Sequence, residues 1–294
     1  MNKVGFIGVG IMGKSIIRNL MKAGFELHIY ARTKSKVEDV ISEGAQFHES
    51  IKDCVQDCDA VITIVGFPQD VEEVYFDEGN ILDSAKEGAY LIDMTTTSPQ
   101  IAEKIYEEGT KRGFHVMDAP VTGGDTGAKA GTLSILVGGE KEDYEACMPL
   151  FEAMGTNINY QGKAGCGQHC KLANQIMIAG TLSGVCEALT YAKEQGLDPE
   201  VFMKSVATGA AGSKQLDTFG PKILKDDYAP GFFMKHFIKD MKLALIEANR
   251  KGLSLDVLSM VLANYEELEQ EGYGDLGTQA LMKFYDEEHR NTEE

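Results

Sequence analysis

The hexapeptide Gly8-Val9-Gly10-Ile11-Met12-Gly13 constrains this chain more than any other stretch. It follows a short apolar run at 4–7 and opens a segment with helical periodicity. In such a turn the first glycine permits a tight reversal, and the second lets the backbone approach a pyrophosphate. The third lets helix and strand pack closely, while the free N–H groups at the helix start face the anion. A glycine-rich turn alone is a weak signal; directly after the first strand of a βαβ unit it is a strong one. Gly8, Gly10, Ile11, Met12 and Gly13 are therefore candidate dinucleotide contacts.

The neighbouring sequence supplies that context. Short apolar runs at 4–7, 27–30, 60–65, 90–93, 114–118 and 133–137 read as strands covered on both faces. Helical stretches lie between them. Ile16, Ile17, Leu20 and Met21 form a stripe that Gly24 ends, and Ser35 with Glu38 reads as a capping box closed by Gly44. Ser98-Pro99 opens a helix that Gly113 ends. Repeated βα units predict an α/β fold, a doubly wound, mostly parallel sheet of Rossmann type, over residues 1–164. From 165 onward no strand-like alternation survives, and glycines at 196, 212, 231 and 252 punctuate helical stretches. The expectation is a second, all-helical domain over 165–294 for substrate binding and oligomerisation. It opens with a long interdomain helix over roughly 165–195. The tail EEHRNTEE reads as a frayed end.

Composition narrows the function classes. A formal charge of -18 argues against nucleic-acid or anionic-membrane partners, which demand a basic surface. The start, MNKVGFIGVG, has no positive segment followed by a long apolar one, so no secretory signal is expected and the chain reads as cytoplasmic. The uncharged stretch 172–186 is interrupted by Asn174, Gln175, Thr181 and Ser183. It reads as a buried helix, short of the roughly 20 apolar residues of a membrane span. The six cysteines form no CxxC and no Cys/His zinc spacing. Cys54/Cys58 and Cys166/Cys170 have the spacing of neighbours on a helix face, and reduced thiols are the plain reading, with a redox or metal role the alternative.

The end of the second strand bears on the choice of nucleotide. An NAD site usually puts a carboxylate there for the ribose 2′-hydroxyl. This chain reads Tyr30-Ala31-Arg32-Thr33-Lys34 instead. Arg32 can stack on adenine and fork onto a 2′-phosphate, and Thr33 adds a hydroxyl donor, which favours NADP over NAD. The alternative is a solvated loop.

Taken in order, GFIGVGIMGKSIIRNL, DMTTTSP (93–99), DAPVTGGDTGAKAGTLSILVGG (118–139), GCGQHCKLANQ (165–175) and FIKDMKLA (237–244) resemble the motifs of the β-hydroxyacid dehydrogenase family. That family includes 3-hydroxyisobutyrate dehydrogenases, tartronate semialdehyde reductases and succinic semialdehyde reductases. The resemblance implies that Thr122, Gly123 and Gly124 hold the substrate carboxylate, with threonine where serine is usual. Read without it, two glycines after a hydroxyl residue at a strand end are either an anion cradle or a turn. From pattern alone Lys171 is more simply a surface lysine beside a helix start. The resemblance makes it the catalytic acid and base, with Asn174 orienting it or the substrate. An uncharged helix around Lys171 and a second cation are expected to lower its pKa from about 10.4. Lys239, by pattern half of an exposed pair with Asp240, becomes a substrate and cofactor contact. Thr95 is implied at the nicotinamide side and Val65 along the cofactor groove. His169 is read as structural. Residues 209–213 (GAAGS) are read either as a substrate-facing loop or as an interhelical connection.

Three positions depart from the family pattern. Gln175 replaces a second asparagine, which leaves the substrate contact there open. Val65-Gly66-Phe67 replaces a leucine or methionine stretch and is expected to loosen its loop. Gly277 replaces an acidic residue. The expected reaction is hydride transfer between NADP(H) and a small β-hydroxy acid or its semialdehyde, 3-hydroxyisobutyrate being the first choice. Tartronate semialdehyde (2-hydroxy-3-oxopropionate) and succinic semialdehyde are the alternatives. Lysine supplies the electrophile, so no metal is required. A homodimer or homotetramer is expected. An imine reductase, a 6-phosphogluconate dehydrogenase and a non-catalytic NADP-binding module are the competing readings. Retention of Lys171 argues against the first and the last, and the short helical half against the second.

Overall fold

The computed structural model describes residues 1–285; the tail expected to fray, 287–294, lies outside the described residues. The chain divides into two compact units, Met1–Lys171 and Leu172–Glu294. The division falls inside the helix Cys166–Glu194 rather than at its start.

The first unit is built on nine strands: β1 Lys3–Ile7, β2 Glu26–Tyr30, β3 Gln46–His48, β4 Ala60–Thr63, β5 Tyr90–Asp93, β6 His115–Asp118, β7 Val121–Thr122, β8 Leu133–Gly139 and β9 Gly155–Gly162. They form one sheet in the order β3-β2-β1-β4-β5-β6-β8-β7, with β9 paired to β8. The first six are parallel, as in a Rossmann sheet, whereas β6 and β7 each meet β8 antiparallel. Burial on both faces explains why these strands are continuously apolar. Phe6, Ile62 and Ile92 enter the core on one face, with Ile16, Ile17 and Leu20 of the helix Ile11–Lys22. Their neighbours Ile7, Val61 and Leu91 enter the other, with Val71, Tyr75 and Ile105. Alternate residues of a strand point to opposite faces, so each face collects its own apolar set.

The strands β3, β7 and β9 were not expected from the sequence. β3 and β7 are too short to show alternation, and β9, Gly155–Gly162, is a mostly exposed edge with few apolar residues. The capping box at Ser35 also does not form. Lys34–Lys36 is a 3₁₀ turn, and the following helix starts at Glu38 behind Val37, whose side chain is buried and offers no cap. Ser98 does cap its helix, accepting the Gln100 N–H at 3.2 Å ahead of Pro99.

Among the described residues the second unit is helical apart from one isolated bridge between Phe233 and Gly277. Beyond the long helix it contains Pro199–Val206, Lys214–Ile223, Met234–Arg250 and Asp256–Gln270, followed by 3₁₀ turns. Phe237 meets Tyr265 edge to face in its core, and the Tyr265 hydroxyl donates to the Thr278 carbonyl at 2.7 Å. Residues 209–213 connect two helices, and Ser213 caps the second by accepting the Leu216 N–H. The whole helix Cys166–Glu194, longer than the uncharged stretch at 172–186, is long and apolar enough, by length and composition, to cross a membrane, a test that a packed core helix also meets. Leu182, Cys186 and Leu189 on its buried face nevertheless belong to the core of the second unit, as in a packed helix.

Candidate active site and cofactor turn

Each glycine of the first turn meets a distinct steric demand. Gly8 has φ +100°, and a Cβ there would stand 2.1 Å from the Ile64 carbonyl oxygen. A Cβ on Gly13 would stand 2.1 Å from the Gly8 carbonyl oxygen, so helix and turn touch backbone to backbone. A Cβ on Gly10 meets no protein atom within 4 Å. Gly10 is therefore glycine for no reason internal to the fold; its open side suits the close approach of a pyrophosphate. Ile11 is exposed and Met12 half-buried at the helix start. These residues fit a dinucleotide.

The strand ends beside this turn carry polar side chains in register. Thr63 of β4 pairs with Asp93 of β5, which pairs with Asp118 of β6. All three are buried. Ligands bind at the carboxyl ends of parallel strands, so this row marks the working end of the sheet. Asp93 Oδ1 accepts from the Thr63 hydroxyl at 2.8 Å and from the Thr95 N–H at 3.1 Å. Burial pushes its carboxyl up to about 6, against the Thr95 hydroxyl, the Thr63 hydroxyl and the Thr95 N–H and with help from the nearby Asp118 charge. Thr95 in turn accepts the Val65 N–H at 2.9 Å, joining two of the predicted cofactor residues. The Val65-Gly66-Phe67 loop is not loosened: its far end is fastened by Asp70, which accepts the Phe67 N–H at 3.0 Å.

Asp70 also lies 3.4 Å from the Arg32 guanidinium, whose side chain is 75% exposed. Arg32 and Thr33 both stand exposed at the end of β2. At the other side of the sheet Thr122 ends β7 and pairs with Ser134, and Gly123 with φ +130° turns the chain into the helix Gly124–Ala130. The first helical bond there runs from the Gly127 N–H to the Gly123 carbonyl, so the preceding amides have no acceptor within the helix.

Lys171 closes the first unit and is 7% exposed. Its helix does not begin with a local cap. Asp118 accepts the Gly165 N–H through Oδ1 and the Gln168 N–H through Oδ2, each at 2.8 Å. Burial still pushes the Asp118 carboxyl above its ordinary range. His169 is exposed and takes no part in this arrangement beyond its charge.

In the second unit the residues form a chain. Asn174 Nδ2 donates to Gln175 Oε1 at 2.8 Å, Gln175 Nε2 donates to Asp240 Oδ2 at 2.7 Å, and Asp240 Oδ1 lies 3.1 Å from the Lys239 ammonium. Asp240 is thus buried and its partner Lys239 half-buried, not the exposed pair that pattern suggests. Gln175 serves as a link within this unit. Gly277 also has a local cause: a Cβ there would stand 2.3 Å from the buried Gln279 amide oxygen, leaving no space for an acidic side chain.

Gln168 and the two strand-end aspartates, Asp93 and Asp118, were not singled out from sequence, and Gln175 and Asp240 were named there without the link between them. The two aspartates carried a usable signal, since each ends an apolar strand at the ligand end of the sheet. Among the described residues there is no group of three or more His, Cys, Asp or Glu able to hold a metal ion. The buried Cys54 and Cys58 thiols are pushed up by desolvation, Cys58 to about 12.

Two family models cover the chain. One, described as the NAD binding domain of 6-phosphogluconate dehydrogenase, matches residues 3–162. The other, described as NAD-binding of NADP-dependent 3-hydroxyisobutyrate dehydrogenase, matches residues 165–285. The chain belongs to the β-hydroxyacid dehydrogenase family. Members of that family are NAD(P)-dependent oxidoreductases acting on CH–OH groups, and this chain is one. It is 49% identical to an uncharacterized oxidoreductase, YkwC, of Bacillus subtilis over 96% of this chain and 98% of the relative. It is 37% identical to the 2-hydroxy-3-oxopropionate reductase of Escherichia coli over 86% of each chain. Among solved β-hydroxyacid dehydrogenases, the Mycobacterium tuberculosis 3-hydroxyisobutyrate dehydrogenase with L-serine superposes with a TM-score of 0.88 at 26% identity. That match covers 96% of this chain and 98% of the other.

Proposed function

We propose that the protein transfers hydride between NADP(H) and a small β-hydroxy acid with a three-carbon main chain, or its semialdehyde, 3-hydroxyisobutyrate first, with Lys171 as acid and base. The observation that carries this reading is the burial of Lys171 on a helix whose first turn is fastened to the strand ends beside the cofactor turn. When bound, the nicotinamide supplies the hydride in reduction and accepts it in oxidation. Lys171 as an ammonium donates a hydrogen bond, then a proton, to the carbonyl oxygen as that oxygen gains charge. In the reverse direction the neutral amine takes the hydroxyl proton. Thr122 and the turn amides of Gly123 and Gly124 hold the substrate carboxylate and so fix the distance from anion to reacting carbon. Asn174 and Lys239 take the roles that the resemblance gave them, orienting the reacting groups and contacting substrate and cofactor.

Relatives named for L-serine and 2-hydroxy-3-oxopropionate, and a solved 3-hydroxyisobutyrate dehydrogenase, support one substrate shape, whereas a glyoxylate/succinic semialdehyde reductase of Arabidopsis thaliana, 32% identical, stands outside it. 3-Hydroxyisobutyrate, the glycerate formed from 2-hydroxy-3-oxopropionate, and L-serine all carry a terminal CH₂OH and a carboxylate on one carbon. They differ only in that carbon's third substituent: methyl, hydroxyl or ammonium. The 2-hydroxy-3-oxopropionate relative supports tartronate semialdehyde as the second reading. Rates for 3-hydroxyisobutyrate, glycerate, L-serine and succinic semialdehyde, each with NADP and NAD cofactors, decide among them. Turnover of succinic semialdehyde alone would refute the three-carbon assignment.

For the nucleotide, the lack of a carboxylate at the end of β2 and the exposed Arg32 support NADP. Arg32→Ala is expected to lower kcat/KM for the NADP couple by about 10–100-fold and leave the NAD couple within about threefold. Equal losses with both would remove Arg32 from 2′-phosphate recognition. We further propose a cytoplasmic homodimer or homotetramer; the exposed Met177, Tyr191, Val201, Val257 and Met260 of the second unit support self-association. Light scattering across protein concentration tests it.

A further inference from the structure

The first turn of the helix Cys166–Glu194 is held more tightly than helix capping requires. Asp118 already satisfies two of its free N–H groups, those of Gly165 and Gln168. The backbone beneath is in direct contact: a Cβ on Gly167 would stand 2.3 Å from the Leu136 carbonyl oxygen, and one on Gly138 would stand 2.8 Å from the Gly167 nitrogen. These contacts seat the helix on β6 and β8 but do not tie it to the loop that follows β5.

The Gln168 side chain supplies that remaining constraint. It is fully buried, at 0% exposure. Its Oε1 accepts the Thr97 N–H at 3.0 Å, and its Nε2 donates to the Thr95 carbonyl at 2.7 Å. One planar amide thereby grips the backbone of one loop at two points, as an adjacent strand would. That loop carries Thr95, which fastens Val65. Lys171 follows Gln168 by three residues, about 4.5 Å along the axis and close to the same helix face.

We propose that Gln168 is a positioning residue for Lys171: its two-point grip on Thr95 and Thr97 sets the rotation and height of the first helical turn, and so where the Lys171 ammonium reaches. This inference rests on the reading of Lys171 as acid and base. The geometry assigns separate tasks to two buried side chains. Asp118 holds the helix backbone to the strand end, and Gln168 matches the helix to the loop on the nicotinamide side. An amide meets the second task at every pH, because it donates at one atom and accepts at the other without ionising. A carboxylate in its place accepts from Thr97 but opposes the Thr95 carbonyl with lone pairs; a protonated carboxyl restores the donor.

That chemistry defines the test. Q168A is expected to lower kcat by about 10–30-fold, because a displacement of the order of 1 Å at the reacting groups is costly. The Kd for NADPH, measured by fluorescence, should stay within about threefold of the parent protein. Hydrogen exchange at the Thr97 amide should accelerate, a readout independent of turnover. Q168E should match Q168A near pH 8 and regain at least about fivefold in kcat, relative to the parent at the same pH, as the buried carboxyl protonates toward pH 5.5. The assay uses the fastest substrate of the panel above. If Q168A and Q168E keep kcat within twofold, or if Q168E shows no recovery on acidification, Gln168 is merely structural and the inference is overturned. Should Q168A fail to fold, the pH response of Q168E decides alone. K171A run in parallel separates the two levels: an active K171A sinks the reading of Lys171, whereas an inactive K171A beside unaffected Gln168 variants sinks only this inference.

Discussion

Replacing Lys171 by alanine should reduce turnover by roughly 10³-fold or more while the Kd for NADPH changes by less than about threefold. The asymmetry follows from where the groups sit in the chain. The phosphate turn depends on Gly8, Gly10 and Gly13: Gly8 is held against the Ile64 backbone and Gly13 against Gly8 and Phe6, while Gly10 stays open on its outer side. Deleting an amine from the helix Cys166–Glu194 touches none of them. The amine supplies two things at the carbonyl oxygen, a positive charge and a transferable proton, and Lys171→Arg separates them. Arginine keeps the charge but does not give up its proton. Lys171→Arg should therefore bind substrate and cofactor yet remain as slow as the alanine variant to within about tenfold. Steady-state rates with fluorescence titration of NADPH provide both readings. K171A turnover within tenfold of the parent would show that another group moves the proton. Loss of NADPH binding in both variants would place the lysine in the cofactor site instead.

What the sequence revealed, and what it concealed, follows from the range of each interaction. The turn at Gly8 was legible because strand, turn and helix are contiguous, and their demands fall on fixed offsets. The strands β1, β2, β4, β5, β6 and β8 were legible because burial on both faces makes them continuously apolar. β9 was not, since an edge strand such as Gly155–Gly162 is held by backbone pairing to β8 and shows only its polar side chains. Lys171 was reached only through family resemblance, since its burial depends on groups distant in sequence. The same distance hid two sets of hydrogen bonds: in the first unit Asp118 and Gln168 lie 50 residues apart and Thr97 and Gln168 lie 71 apart, and in the second Gln175 and Asp240 lie 65 apart. A glutamine inside GCGQHCKLANQ has no local pattern to mark it as the partner of a loop on β5. The reading of Val65-Gly66-Phe67 as a loosened loop failed only partly for that reason: the Thr95 hydroxyl that fastens Val65 lies 30 residues away, but the Asp70 carboxylate that fastens Phe67 is three residues on and was open to a local reading.

Asp93 yields the largest expected effect on stability, and the direction depends on pH. Its carboxyl is wholly buried, its Oδ2 lacks a hydrogen bond, and desolvation raises its pKa from 3.8 to about 6. A carboxyl whose folded value is raised favours the fold while protonated. That contribution is complete below about pH 4 and is lost as pH climbs through 6, because the folded state must then bury a charge that the unfolded chain leaves in water. A shift of about two pKa units corresponds to about 3 kcal/mol. Asparagine matches the protonated acid in shape: its carbonyl accepts from the Thr63 hydroxyl and the Thr95 N–H, and its amide takes the place of Oδ2. It does not ionise. Asp93→Asn should therefore equal the parent near pH 4 and exceed it by up to about 3 kcal/mol near pH 8, a rise in Tm of roughly 6–12 °C. Thermal unfolding of both proteins from pH 4 to pH 8 measures this difference directly. A gap that stays constant across the range, or one that favours aspartate at pH 8, would mean that the carboxylate is solvated or paired in the folded protein. The floor beneath Thr95 would then be polar, contrary to its burial. A widening gap would instead identify Asp93 as a site where the fold gives up stability to keep a hydrogen-bond acceptor for Thr63 and Thr95 under the loop that faces the cofactor.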